Sequence, residues 1–227
     1  MTIYPAIDLI DKQAVRLYKG QKEKKKIYGD PIDIAKAYAR YFDHLHIIDL
    51  DGAFSGETKN LETVREIVEQ TGLKIQYGGG LRTIESIRKA YLAGITHVII
   101  STKAFDTEFV RALTQEFDSV TVSLDSRQGK VSVAGWLEES GLTLEETFEG
   151  LKNNFSRFIF TDIEKDGTNG GISDFQQFWK GKEVIYAGGV FSLEDIRQAD
   201  KMGFSGVVIG RALLEGTLTC EQLKGVL

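Results

Sequence analysis

The chain has 227 residues, a formal net charge of −5, 42% hydrophobic and 27% charged residues, 24 glycines and one cysteine. These figures fit one globular domain, disfavour a general nucleic-acid or anionic-membrane surface, and leave Cys220 without an internal disulfide partner. No apolar run approaches the roughly 20 residues of a membrane span, Asp8 comes too early for a secretory signal, and three histidines with one cysteine offer little to zinc, so a cytoplasmic, metal-free protein is expected.

In chain order, short β-branched runs predict strands over Ile3–Asp8, His44–Asp49, Lys74–Tyr77, His97–Ser101, Ser119–Leu124, Arg157–Thr161, Val184–Tyr186 and Gly206–Ile209. Helical spacing separates them, as in Ile32-Ile34-Ala35-Tyr38 and Ile84-Ile87-Arg88-Tyr91. Asp30-Pro31 reads as an N-cap followed by proline at the first helical position, and Thr83 and Ser192 as further N-caps. Each strand–helix unit has about 28 residues, enough for a parallel crossover. The expectation is one domain over residues 1–227, an α/β fold of the closed (β/α)8 barrel type. The rival is an open doubly wound sheet. It calls for a glycine-rich turn after the first strand, where this chain has Asp8.

The chain also repeats itself. Lys74–Lys103 lies over Glu183–Ala212 without a gap, which pairs Gly79 with Gly188, Gly80 with Gly189, Glu85 with Glu194 and Gly94 with Gly203. A second alignment places Asp8 over Asp125. Shared packing could give such a match; two fused half-barrels explain it better.

Two glycine-rich turns, Gly78-Gly79-Gly80-Leu81-Arg82 and Ala187-Gly188-Gly189-Val190, follow the third and seventh strands. Glycine lets backbone N–H groups approach an anion, and a helix N-terminus behind adds partial positive charge. The next strand ends, Ser101-Thr102 and Gly210-Arg211, would complete each grip. Turns also need glycine for conformation alone. The symmetric pair points to a substrate with a phosphate at each end. Asp8 and Asp125 would face each other across the mouth as acid and base, or else cap loops or pair with Arg16 or Arg127. Asp49, Asp51, Asp162 and Asp166 also stand near strand ends, and it is the repeat that selects Asp8 and Asp125.

Pro5-Ala6-Ile7-Asp8-Leu9, Val15-Arg16-Leu17, His46-Ile47-Ile48-Asp49-Leu50-Asp51-Gly52-Ala53, Gly78–Arg82, Ser123-Leu124-Asp125, Gly135-Trp136-Leu137, Thr161–Thr168 and Ala187–Val190 together resemble the phosphoribosylformimino-aminoimidazole carboxamide ribotide isomerase family of histidine biosynthesis. The resemblance runs from first strand to last. It implies an Amadori rearrangement of an aminoaldose to an aminoketose, on a small bisphosphorylated ribonucleotide, without a cofactor. It also implies Asp8 as general base, Asp125 as general acid and Thr161 as an assisting group. Arg16, His46, Trp136, Gly167 and Thr168 join the glycine turns, Arg82, Ser101, Thr102, Gly210 and Arg211 as substrate-binding candidates. The related cyclase usually reads Pro-Cys-Leu-Asp in its first strand, where this chain has Pro5-Ala6-Ile7-Asp8.

Three departures stand out. Asp11-Lys12 replaces the family's Asp-Gly, which suggests a differently shaped turn. Ser173–Lys182 leaves room for only a short sixth helix. Ala134 stands where relatives acting on two substrates carry arginine, which argues for a single substrate. Trp136 either stacks on a heteroaromatic base or covers Leu137. Lys22, Lys24, Lys25 and Lys26 form a charged loop after the first strand, either solvated or a lid that attracts a polyanion. His46 is core or touches substrate, while His44 and His97 read as structural. A monomer is expected. A lyase on the same scaffold, or a non-catalytic phosphometabolite binder that tolerates loss of either aspartate, are the other classes.

Overall fold

The computed structural model describes residues 1–18, 21–133, 138–168 and 170–225. Eight parallel strands close into a barrel: β1 (Thr2–Ile10), β4 (His44–Asp49), β5 (Lys74–Gly78), β6 (His97–Ile100), β7 (Val120–Arg127), β10 (Arg157–Asp162), β11 (Glu183–Ala187) and β12 (Gly206–Ile209). Neighbours pair in that order, and β12 returns to β1 with Thr2 opposite Gly206. All eight coincide with the runs expected from sequence, because barrel strands are buried on both faces and read as continuous apolar stretches.

Alternate side chains of each strand divide the core in two. Ile3, Ile7 and Leu9 of β1 join the large cluster beneath the helices, whereas Tyr4 joins a small interior cluster with Ile99, Ile159, Ile185 and Ala187. The helices α1 (Pro31–Ala39), α2 (Leu50–Ser55), α3 (Leu61–Thr71), α4 (Ile84–Leu92), α5 (Thr107–Glu116), α6 (Leu144–Leu151), α7 (Leu193–Lys201), α8 (Arg211–Leu214) and α9 (Cys220–Lys224) surround the strands. Asp30 accepts from Ile32 N as the N-cap of α1, and Thr83 and Ser192 close capping boxes on α4 and α7.

The internal repeat holds in the backbone. Gly79 and Gly188 have φ of 109° and 107°, and a Cβ on either would lie 2.1 Å from the Asp49 carbonyl oxygen or 2.5 Å from that of Asp162. Ser101 (φ −128°, ψ −97°) and Gly210 (φ −104°, ψ −85°) bend the chain alike after β6 and β12.

Each half also carries an antiparallel ribbon after its first strand. In one, β2 (Gln13–Tyr18) pairs with β1 and β3 (Gln21–Gly29); in the other, β8 (Lys130–Val133) pairs with β7 and β9 (Glu138–Thr143). The lysine run is therefore a strand of this ribbon and not a loop. Lysines suit a strand with one unpaired edge, because their charge discourages pairing with another chain. Asp11 and Lys12 take φ of 50° and 62°, close to the 50° and 78° of Gln128 and Gly129. The two ribbons of this chain thus turn alike. Lys12 is held in a left-handed conformation because Asp11 N donates to Asp51 Oδ2 at 2.7 Å and Lys12 N to Asn60 Oδ1 at 2.8 Å.

The expected short sixth helix is not formed. Residues 171–179 are irregular chain, and Trp179 and Phe178 pack against Phe160 of β10. Trp179 packs 4.5 Å from the Phe204 ring and 5.4 Å from Phe160, and its indole N–H donates to Gly203 O at 3.3 Å. Large aromatic rings cover the strands there with fewer residues than a helix needs.

Candidate active site

Asp8 lies near the C-terminal end of β1, opposite Val15 of β2 and Ile48 of β4. The ribbon folds back so that Arg16 Nη1 reaches Asp8 Oδ2 at 2.8 Å, while Arg16 Nη2 grips Asp166 from the loop after β10. One guanidinium thus bridges two carboxylates, with Asp8 only 11% and Asp166 20% exposed. Burial pushes the Asp8 carboxyl above the usual range; Arg16 opposes that and Asp166 adds to it. Burial works against the Arg16 cation, but Asp166 and Asp8 outweigh it and raise its proton affinity further.

Asp125 stands at the end of β7, four strands away round the barrel from Asp8. Thr161 of β10 is its register partner, and Ser123 Oγ donates to Asp125 Oδ1 at 2.7 Å. The two aspartates of the repeat therefore sit on opposite sides of the mouth. Asp166 has no counterpart in the first half, where the matching place holds Ala53. A selection made by symmetry passes it over.

The glycine turns pack tightly on neighbouring loops. A Cβ on Gly80 would meet the Glu57 carbonyl carbon at 2.5 Å, and one on Gly189 the Gly171 oxygen at 2.4 Å. Loop packing alone thus requires these glycines. Arg82 lies over the end of α2 and donates to Ala53 O at 3.1 Å. Thr102 opens a short 3-10 turn after Ser101, and Thr168 Oγ donates to Lys165 O at 2.6 Å within its own loop.

Arg211 is tied differently. Its Nη1 donates to Gly167 O at 2.9 Å and its Nε to Glu215 at 2.8 Å. Glu215 also accepts from Lys26 and Tyr28 of β3, both at 3.0 Å, so one carboxylate joins the ribbon to the end of the barrel that carries Gly210-Arg211. The Lys26 hydrogen bond, with those from Arg211 and Tyr28, overcomes burial and holds Glu215 down at about 2. A carboxyl depressed in the fold stabilises it fully above the unfolded value and loses that contribution as pH falls through the folded value. Wild type should therefore exceed Glu215→Gln in thermal midpoint above about pH 4.3, with the gap closing toward pH 2. A gap that stays constant on acidification would mean that the charge of Glu215 does not dock the ribbon.

His46 projects from β4 into the barrel, 8% exposed, with Nδ1 2.8 Å from Gln76 Nε2. Asp49 and Asp162 are structural. Asp49 accepts from the backbone of Gly52, Lys59 and Asn60 and from Tyr77 OH, and Asp162 is held by Ser173 Oγ and Glu164 N. Trp136, with Ala134, Gly135 and Leu137, lies outside the described residues. Among the described residues no group of three His, Cys, Asp or Glu side chains is placed to hold a metal ion, and no helix is long and apolar enough to cross a membrane.

Residues 2–219 match the family model described as histidine biosynthesis protein. A relative from Thermococcus onnurineus is 54% identical over 227 residues, covering 100% of this chain and 99% of the relative. One from Thermococcus kodakarensis is 49% identical over 226 residues, covering 100% and 97%, and one from Pyrococcus furiosus is 50% identical over 220 residues, covering 97% and 92%. All three carry the name 1-(5-phosphoribosyl)-5-((5-phosphoribosylamino)methylideneamino)imidazole-4-carboxamide isomerase.

Proposed function

The chain belongs to the histidine biosynthesis protein family, and from that footing we propose that it isomerises the aminoaldose named for its relatives to the corresponding aminoketose, by acid–base catalysis at the barrel mouth. Relatives across the full length carry that one activity. The observation that supports the chemistry is Asp8, a poorly exposed carboxylate of raised proton affinity paired with Arg16.

The reaction needs two proton movements. An acid protonates the ribose ring oxygen; the C1–O bond breaks and a protonated Schiff base forms between C1 and nitrogen. A base then removes the proton from C2, the electron pair moves to give an enaminol, and protonation at C1 with loss of the hydroxyl proton yields the ketone at C2. Asp8 is the base. Burial raises its proton affinity, which strengthens it as a base, and the Arg16 guanidinium works against that rise by favouring the charged form. Asp125, opposite Asp8 and beside Thr161, is the acid. A second reading gives the acid role to Asp166, favoured by its bridge through Arg16 to Asp8. The phosphates would sit at the two glycine turns with Ser101, Thr102, Gly210 and Arg211, and binding far from C1 and C2 would orient the reacting carbons.

The test is the purified chain mixed with the synthetic aminoaldose bisphosphate, followed by NMR. The aminoketose should appear catalytically. Binding without turnover would reduce the chain to a phosphometabolite-binding protein.

A further inference from the structure

The two half-barrels share a frame but not an interior. With β4 laid over β10, His46 falls on Ile159; with β5 laid over β11, Gln76 falls on Ile185. The first half thus carries a buried polar pair where the second carries two isoleucines. Gln76 is 1% exposed and Arg157, at the start of β10, is 5% exposed.

Arg157 Nη2 donates to Gln76 Oε1 at 3.1 Å and also to Tyr4 OH at 2.8 Å. Glu183 anchors the same guanidinium from the barrel floor, with an oxygen 3.4 Å from Nε. A guanidinium has donors and no acceptor, so the side facing it must be the amide oxygen of Gln76. The amide nitrogen then faces His46 Nδ1 at 2.8 Å. That nitrogen can only donate, so Nδ1 must be the acceptor and must carry no proton. Turning the amide over would set donor against donor at Arg157. Protonating the ring would set donor against donor at Gln76. The other ring nitrogen, Nε2, therefore holds the proton. It has no protein partner among the described residues and is not among the fully enclosed unpartnered atoms.

We propose that Arg157, acting through Gln76, locks His46 as a neutral imidazole with its proton on Nε2, and that this uncharged donor is offered from the first half-barrel to an oxygen of the substrate. The inference rests on the reading of the barrel mouth as the isomerase site. Gln76 and Arg157 are positioning residues; His46 makes the contact. Nothing in the shared frame demands the pair, since Ile159 and Ile185 fill the equivalent places in the other half. The pair therefore makes the two ends of the mouth chemically different, where the backbone repeat makes them alike.

Among the described residues, the charged groups that act on His46 are two cations, Arg16 from β2 and Arg157 from β10. Burial, then these two charges, hold the ring's proton affinity down at about 3. A free histidine would instead change charge across neutral pH.

The experiment is long-range 1H–15N NMR of the ligand-free chain labelled with 15N-histidine, so its readout does not depend on substrate or turnover. His46 should show a protonated Nε2 and a bare Nδ1, unchanged over about pH 5 to 8. A proton on Nδ1, or titration near the ordinary value of about 6.5, would overturn the relay. Gln76→Glu presents an acceptor to both neighbours. It should move a proton to Nδ1, bring His46 titration into the neutral range, and lower kcat/KM about ten-fold with a changed pH profile. Arg157→Lys retains a donor and should retain the wild-type tautomer. An Nε2–H signal unaltered by Gln76→Glu would also overturn the relay. A locked His46 in a chain that fails to isomerise the aminoaldose would leave the relay standing and remove the functional reading.

Discussion

Asp8→Asn should lower kcat by about 10² to 10⁴, the range over which a positioned base contributes, while substrate affinity stays within a few-fold. Asparagine keeps the shape of the side chain and can still accept from Arg16 Nη1, now at 2.8 Å from Asp8 Oδ2. It cannot take the C2 proton. Arg16 remains paired with Asp166, so the ribbon that carries it keeps one of its two anchors. Pre-steady-state NMR on this variant should show ring-opened substrate accumulating, because protonation at the ring oxygen does not need Asp8. Turnover within a few-fold of wild type would remove Asp8 from the base role. The same measurement on Asp125→Asn and Asp166→Asn separates the two candidate acids: the true acid is the one whose loss stops ring opening.

Arg16→Met should be at least as severe, and on stability as well as rate. The substitution leaves Asp8 and Asp166, both poorly exposed, without the cation between them. Removing one partner from a buried ion pair typically costs about 3–5 kcal/mol, because an uncompensated charge is left behind. Arg16 is the group that lowers the proton affinity of Asp8, whereas burial and Asp166 raise it. Without Arg16 the carboxyl moves further up, so the base is protonated at pH values where the wild type has it charged. The acid limb of the kcat/KM profile should shift to higher pH. The stability loss should be complete above the raised folded value and shrink as pH falls through it, since one carboxyl then takes a proton and the repulsion ends. Urea unfolding at neutral and acid pH measures this. A loss equal at both would mean that Arg16 acts through packing alone. Arg16→Lys, which keeps the charge, should recover much of the stability.

The barrel strands were legible because each is an apolar run between turn residues, and the repeat was legible because Gly79 and Gly188 stand at one place in each half. The ribbons were not. Gln21–Gly29 has no alternation of apolar and polar residues, and the pairing of β2 with β1 depends on a turn in which Lys12 is held left-handed by Asp51 and Asn60. Those partners lie 40 and 48 residues further on, beyond the reach of local pattern. Residues 171–179 have helical aromatic spacing, yet tertiary packing of Trp179 on Phe204 and Phe160 decides their course.

The strand-end positions of Asp8, Asp125 and Thr161 were readable from the sequence. Asp166 was passed over because it breaks the symmetry by which the pair was chosen. Arg157, Gln76 and Glu215 carry no motif. Each matters through a partner far along the chain: Tyr4 for Arg157, His46 for Gln76, Lys26 for Glu215. The interior of a parallel barrel brings together residues from strands that are distant in sequence, so such contacts follow from closure of the sheet and not from spacing.

The most direct test of the central claim is the fate of the C2 hydrogen. An aminoaldose bisphosphate carrying deuterium at C2 is incubated with the purified wild-type chain and with Asp8→Asn, and followed by NMR. The account predicts that wild type converts it to the aminoketose with the label gone from C2, and that Asp8→Asn leaves the label in place on that timescale. Label retained by wild type, or lost equally fast in Asp8→Asn, would contradict it.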